Sequence, residues 1–99
     1  MEVLVLHTEA CPHVDLARQR IAEALATVGT EAVVSTVVVA TPDEAQRWAF
    51  AGSPTILVDG RDPFPAPDRP AALTCRLYQT DEGLQGAPAV TQLVEVLAR

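Results

Sequence analysis

The chemistry available to this chain is concentrated in four side chains, Cys11, Cys75, His7 and His13. Cys11 is preceded by a short apolar run, Val3-Leu4-Val5-Leu6, and followed at once by Pro12 and a segment with helical spacing. The thiol is therefore expected where a strand hands over to a helix N-terminus. Unpaired backbone N–H groups and the positive end of the helix dipole gather at such a place, and both favour the thiolate, the nucleophilic form of cysteine. A reactive Cys11 is the leading reading. His13, two positions on, either favours the thiolate further or is an exposed residue of the first helical turn. His7 reads as a polar strand terminus.

Cys75 admits more than one role. Free cysteine is among the most buried residue types, and a small core side chain is the favoured reading. If the third and fourth strands form an antiparallel hairpin with Pro54 opposite Tyr78 to Thr80, Cys75 lies about 10–17 Å along it from Pro54. A disulfide tolerates a Cα separation of only about 7 Å. A resolving role toward Cys11 stays open, because the proline-rich segment between the two strands can alter that register. The two cysteines are too far apart in sequence for a local zinc knuckle. Thiolates nevertheless select soft metals, and His7, His13 and Cys75 are candidate co-ligands.

Length and composition bound the rest. A chain of 99 residues, 48 % of them hydrophobic, suits one domain over residues 1–99 with a single modest core. Its net charge of −6 would repel phosphate backbones and anionic lipid, and no basic run reverses that, so neither nucleic acid nor a membrane is an expected partner. No signal-peptide pattern precedes the first strand, and no apolar run approaches the ~20 residues that cross a bilayer. The cytoplasm is the expected location, where thiols stay reduced.

The elements that must position these residues follow from periodicity. Val14, Ala17, Ile21, Leu25 and Val28 recur at threes and fours, predicting a core-facing helix from Pro12 to about Val28, ended by Gly29. Val33 to Val39 is β-branched and nearly continuous in apolarity, which suits a strand covered on both faces and reached by a right-handed parallel crossover. Thr41-Pro42-Asp43-Glu44 is a capping box that opens a helix to about Phe50, with Ala45, Trp48 and Ala49 on its inner face. Thr55 to Val58 is a third strand beginning after Pro54 and closed by Asp59-Gly60. Pro63, Pro65, Pro67 and Pro70 make a stiff, irregular loop, within which Asp62 reads as a solvent-facing turn charge. Leu73 to Gln79 is a fourth strand. Gly83 and Gly86 allow a bend before Pro88 opens a last helix bearing Val90, Leu93, Val94 and Leu97. The expected architecture is α/β, ordered β-α-β-α-β-β-α, with a four-stranded mixed sheet flanked by helices.

A cysteine at the first strand-to-helix junction, this element order and an X-Pro-Thr opening the third strand together resemble the thioredoxin-like fold superfamily. Cys11-Pro12-His13-Val14 occupies the place of that family's Cys-x-x-Cys motif, and Ser53-Pro54-Thr55 the place of its cis-proline segment. Val14 stands where the resolving cysteine would be, so the resemblance is to a monothiol member. Its Cys-Pro-His start is similar to the oxidising disulfide-exchange proteins of the fold. Arg76-Leu77-Tyr78 and the Gly83 to Pro88 segment resemble small bacterial thioredoxin-like proteins often labelled alkylmercury-lyase-like.

The resemblance implies Cys11 as nucleophile, His13 as thiolate stabiliser, and Pro12, Ser53, Pro54 and Thr55 as substrate-binding residues. A cis bond before Pro54 would present the Ser53 backbone to an extended thiol substrate beside Cys11. With one thiol in the motif, release of a mixed disulfide needs glutathione, another protein or a different cysteine such as Cys75. The implied activity is cytoplasmic thiol–disulfide exchange or thiol sensing, as an oxidoreductase without a cofactor. The implied partner is a thiol- or disulfide-bearing protein or a low-molecular-weight thiol. Two alternatives stand beside it, a non-catalytic binding or assembly module and a soft-metal (mercury or zinc) binder.

Overall fold

A computed structural model describes residues 1–66 and 69–99. Its sheet is built around β1, Glu2–His7, which pairs in parallel with β2, Val33–Val38, and antiparallel with β3, Thr55–Val58. Helix α1, Val14–Val28, makes the parallel crossover and ends at Gly29, whose φ of 75° only glycine adopts without strain. Successive side chains of β1 point to opposite faces. Val3 and Val5 join Ala17, Ile21 and Ala24 of α1, Ile56 of β3, and Leu93, Val96 and Leu97 of the last helix, α3, Val90–Leu97. Leu6 turns the other way and packs with Val39, Ala45 and Phe50.

The second helix, α2, Pro42–Trp48, starts as its sequence predicts. The Thr41 hydroxyl accepts from the Glu44 N–H at 3.2 Å, and the Glu44 carboxylate accepts from the Ala40 N–H at 3.4 Å. It ends two residues sooner than expected, at a left-handed Ala49. The shortening moves Trp48 off the expected inner face, where it is 39 % exposed, and gives the buried position to Phe50. A helix this short cannot roof the sheet. Correspondingly β2, expected to be covered on both faces, is exposed at five of its six residues, Val33 at 68 %, and it is an edge strand because no further strand among the described residues pairs beyond it.

The four-stranded mixed sheet does not form. The sheet has three strands, ordered β2-β1-β3, and a separate antiparallel hairpin holds β4, Tyr78–Thr80, against β5, Gly83–Gln85. The outer edge of β3, where a fourth strand would add, is already in use. Val58 exchanges two backbone hydrogen bonds with Arg61, at 2.8 and 3.1 Å. The Pro54 carbonyl accepts from the Tyr78 hydroxyl at 2.6 Å, and Ser53 is bonded to Thr74 and Arg76. The segment from Leu73 therefore touches the strand end at one parallel bridge, Ser53 to Cys75, rather than running along β3 as a hairpin partner. Gly83, read as a bend, opens a fifth strand. Pro67, one of the four loop prolines, lies outside the described residues.

Candidate functional site

Cys11 lies on the loop between β1 and α1. Its N–H donates to the Thr8 carbonyl at 3.3 Å, closing a turn that leaves the side chain half-buried and its thiol free. The helix starts at Val14 rather than Pro12, with His13 as its N-cap residue, so Cys11 stands two residues ahead of the cap. Pro12 is fully compatible with a first helical position, but here it forms part of the turn and is exposed. The helix dipole consequently acts on Cys11 from further away than the sequence implies.

His13 is half-buried, not an exposed first-turn residue. Its ring lies directly on the backbone of Gly86, where an added Cβ would come within 2.2 Å of the imidazole Cγ. That seat is itself anchored, because Arg20 of α1 donates to Gln85 Oε1 at 2.8 Å and to the Ala87 and Pro88 carbonyls at 3.1 and 3.3 Å. The absence of a side chain at Gly86 thus sets where His13 can sit. His7, half-buried at the end of β1, places Nδ1 2.9 Å from the Thr8 carbonyl oxygen, to which it can only donate.

The Ser53-Pro54-Thr55 segment meets the same loop. The Ser53 hydroxyl accepts from the Thr8 N–H at 3.0 Å, and the Ser53–Pro54 peptide bond is cis, as the resemblance implies. All three residues are buried. Thr55 turns inward, donating from Oγ1 to the Gly52 carbonyl at 2.6 Å. Ser53 donates its N–H to the Thr74 carbonyl at 2.7 Å and accepts from the Arg76 N–H at 3.0 Å. The backbone groups assigned to an extended substrate are therefore occupied by the chain's own Thr74–Arg76 segment.

Cys75 is at the centre of that segment, directly opposite Ser53, and it is exposed. Both expectations about it are corrected, since it is neither a core side chain nor displaced along a hairpin from Pro54. The inward position belongs to its neighbour. Arg76, 3 % exposed, forms a 2.7 Å ion pair with Asp62, donates to the Phe64 carbonyl, and lies 4.6 Å from the centroid of the Tyr78 ring. Asp62, read as solvent-facing, is a half-buried counter-ion. Phe64 meets the same ring edge-on, with centroids 5.7 Å apart. Burial pushes the Tyr78 hydroxyl well above the usual phenol pKa, and Arg76 pulls in the opposite direction. The close approach of Arg76 needs Gly52, whose φ is +121° and whose added Cβ would fall 2.8 Å from Arg76 Cβ.

Arg76, Asp62, Gly52, Gly86 and Arg20 support the site although the sequence assigns none of them a role in it. The alternation Arg76, Leu77, Tyr78 carries the one signal that could have found Arg76, because it places Arg76 and Tyr78 on the same side of an extended chain. Among the described residues, no three His, Cys, Asp or Glu side chains gather into a group able to hold a metal ion. No described helix is long and apolar enough to cross a membrane. No family model matches the chain, and no curated protein or solved structure is found similar to it.

Proposed function

We propose that this chain is a cytoplasmic monothiol protein related to the thioredoxin-like group, acting in thiol–disulfide exchange or thiol sensing through Cys11. The observation that carries the reading is the 3.0 Å hydrogen bond from the Thr8 N–H to the Ser53 hydroxyl. It joins the loop bearing the free Cys11 thiol to the segment bearing Pro54 and, through the Ser53 bridge, to Cys75. A disulfide resting against this surface meets a nucleophile and a second thiol carried on adjoining segments.

In the first step the Cys11 thiolate attacks one sulfur of a substrate disulfide. A new S–S bond forms to Cys11, and the other substrate sulfur leaves as a thiolate that takes up a proton from solvent. In the second step a low-molecular-weight thiol, as its thiolate, attacks the mixed disulfide and releases Cys11. Cys75 can take that second part instead. Its thiolate would expel the substrate as a thiol and leave a Cys11–Cys75 disulfide, which two equivalents of external thiol return to the reduced state. His13, seated on Gly86, serves as the polar neighbour that favours the Cys11 thiolate. Pro12 is exposed beside it, the buried Pro54 and Thr55 support that surface from within, and the reducing thiol pool of the cytoplasm keeps both cysteines available.

A small aliphatic disulfide supplied with glutathione tests the reading. Cys11→Ser is expected to abolish exchange, while Cys75→Ser separates the two resolving routes. Unchanged turnover in Cys75→Ser assigns resolution to the external thiol, whereas a mixed disulfide trapped on Cys11 assigns it to Cys75. Wild-type exchange no faster than that of Cys11→Ser overturns the proposal. A second reading, a binding module without redox chemistry, is favoured by the exposed Val33, Val38, Trp48, Leu77 and Leu84.

A further inference from the structure

We infer that β2 is a self-pairing edge, and that two copies of this chain associate by antiparallel β2–β2 addition into one continuous six-stranded sheet. The ladder itself defines which groups are free. Val33 donates to the Met1 carbonyl at 3.0 Å and Val39 to the His7 carbonyl at 2.8 Å, so within the parallel register the odd-numbered residues of β2 face β1. Val34, Thr36 and Val38 therefore aim their N–H and C=O groups outward from the sheet, where the strand order β2-β1-β3 leaves no neighbour.

Edge strands are normally blunted by charge, proline or a bulge. This one carries none of these, since Val33 to Val38 contains four valines, a serine and a threonine and pairs with β1 residue for residue. The occupant follows from self-complementarity. A two-fold axis beside Thr36 sets Thr36 against Thr36 of the second copy and Val34 against Val38, so that three opposed pairs exchange two backbone hydrogen bonds each. Hydroxyl meets hydroxyl and valine meets valine, which are favourable cross-strand pairs. Moving the axis to Val38 would bring Val34 against Pro42, which has no N–H to donate.

Each copy carries −6, and charge opposes the arrangement only at the two ends of the paired strands, where the register sets Glu31 opposite Thr41 of the second copy and near its Asp43 and Glu44. Salt screens this end repulsion, so association of the wild type should strengthen as ionic strength rises. The second copy adds beyond β2, on the side of β1 away from β3 and the Ser53–Cys75 bridge, so the exposed Cys75 keeps its access. A single strand buries less than the roughly 800 Å² per partner of a standard interface, so the dimer dissociates on dilution.

Sedimentation of the 99-residue chain from about 10 µM to about 1 mM, a range chosen because the interface is smaller than a standard one, tests the inference together with amide hydrogen exchange. Wild type is expected to shift from monomer to dimer, with the Val34, Thr36 and Val38 amides gaining protection as concentration rises. Thr36→Lys, at a position exposed in the monomer, sets two ammonium groups face to face across the axis. It should weaken association about fivefold to tenfold, an effect that added salt partly reverses. A monomer throughout the range overturns the inference, as does a dimer that Thr36→Lys leaves unchanged or in which those three amides stay unprotected.

Discussion

At the scale of single residues, the site rests on two contacts that can be removed one at a time. Tyr78 closes the Pro54 segment by donating to its carbonyl, and Tyr78→Phe leaves that buried acceptor unpaired. The expected loss is about 1–3 kcal/mol, read from denaturant unfolding. The same hydroxyl sets a pH dependence. Its pKa is raised in the folded state, so the unfolded chain gives up the proton first as pH climbs past about 10, and stability must fall above that pH while being fully present below it. Tyr78→Phe should flatten this alkaline decline, and an unchanged decline would assign it to another group. Gly86→Ala drives a methyl group into the His13 ring, at a position where φ itself tolerates alanine. Overpacking of this kind costs about 1–3 kcal/mol. Thermal unfolding should show the loss, and His13→Ala combined with Gly86→Ala should recover much of it.

At the scale of elements, the loop from Asp62 to Phe64 is held to the extended segment at Arg76 by one ion pair and one carbonyl contact. Asp62→Ala strands a guanidinium that is 4 % exposed, and the loss should be about 3 kcal/mol, at the low end for a broken buried pair because the Asp62 side chain is 22 % exposed. A cost below 0.5 kcal/mol, of the order of an exposed pair, would mean that the network contributes little. The elements differ in how far local sequence reveals them. β1, α1, β2 and α2 follow from patterns inside each segment, such as the helical spacing from Val14 to Val28 and the Thr41 cap. α1 starts at Val14, later than the sequence predicts, because Pro12 suits both a first helical turn and the turn that precedes it. The edge status of β2 was hidden because a run of valines looks alike in a central and an edge strand. Whether such a strand gains a lateral neighbour or a covering helix depends on other segments, which its own residues do not report.

At the scale of the whole molecule, the three-stranded sheet, the separate β4–β5 hairpin and the position of Cys75 all depend on contacts between segments distant in sequence. Ser53 meets Cys75, Asp62 meets Arg76, and His13 meets Gly86. An arginine is rarely buried unless paired, so Arg76 could not be read as interior until Asp62 was known to face it. Cys11 and the Pro54 segment were legible because a thiol at a strand-to-helix junction and a proline at a strand start each announce a local role. Their meeting through Thr8 and Ser53 was implied by resemblance alone. The two cysteines differ in a way that makes the central claim testable, since Cys11 is half-buried and Cys75 is exposed. Peptide-resolved iodoacetamide labelling of the native chain at neutral pH measures both rates in one sample. Activation by the site predicts that Cys11 is alkylated severalfold faster than Cys75 despite its lower exposure, and that His13→Ala narrows the gap. Labelling that follows exposure, with Cys75 faster and Cys11 slow, would contradict a nucleophilic Cys11.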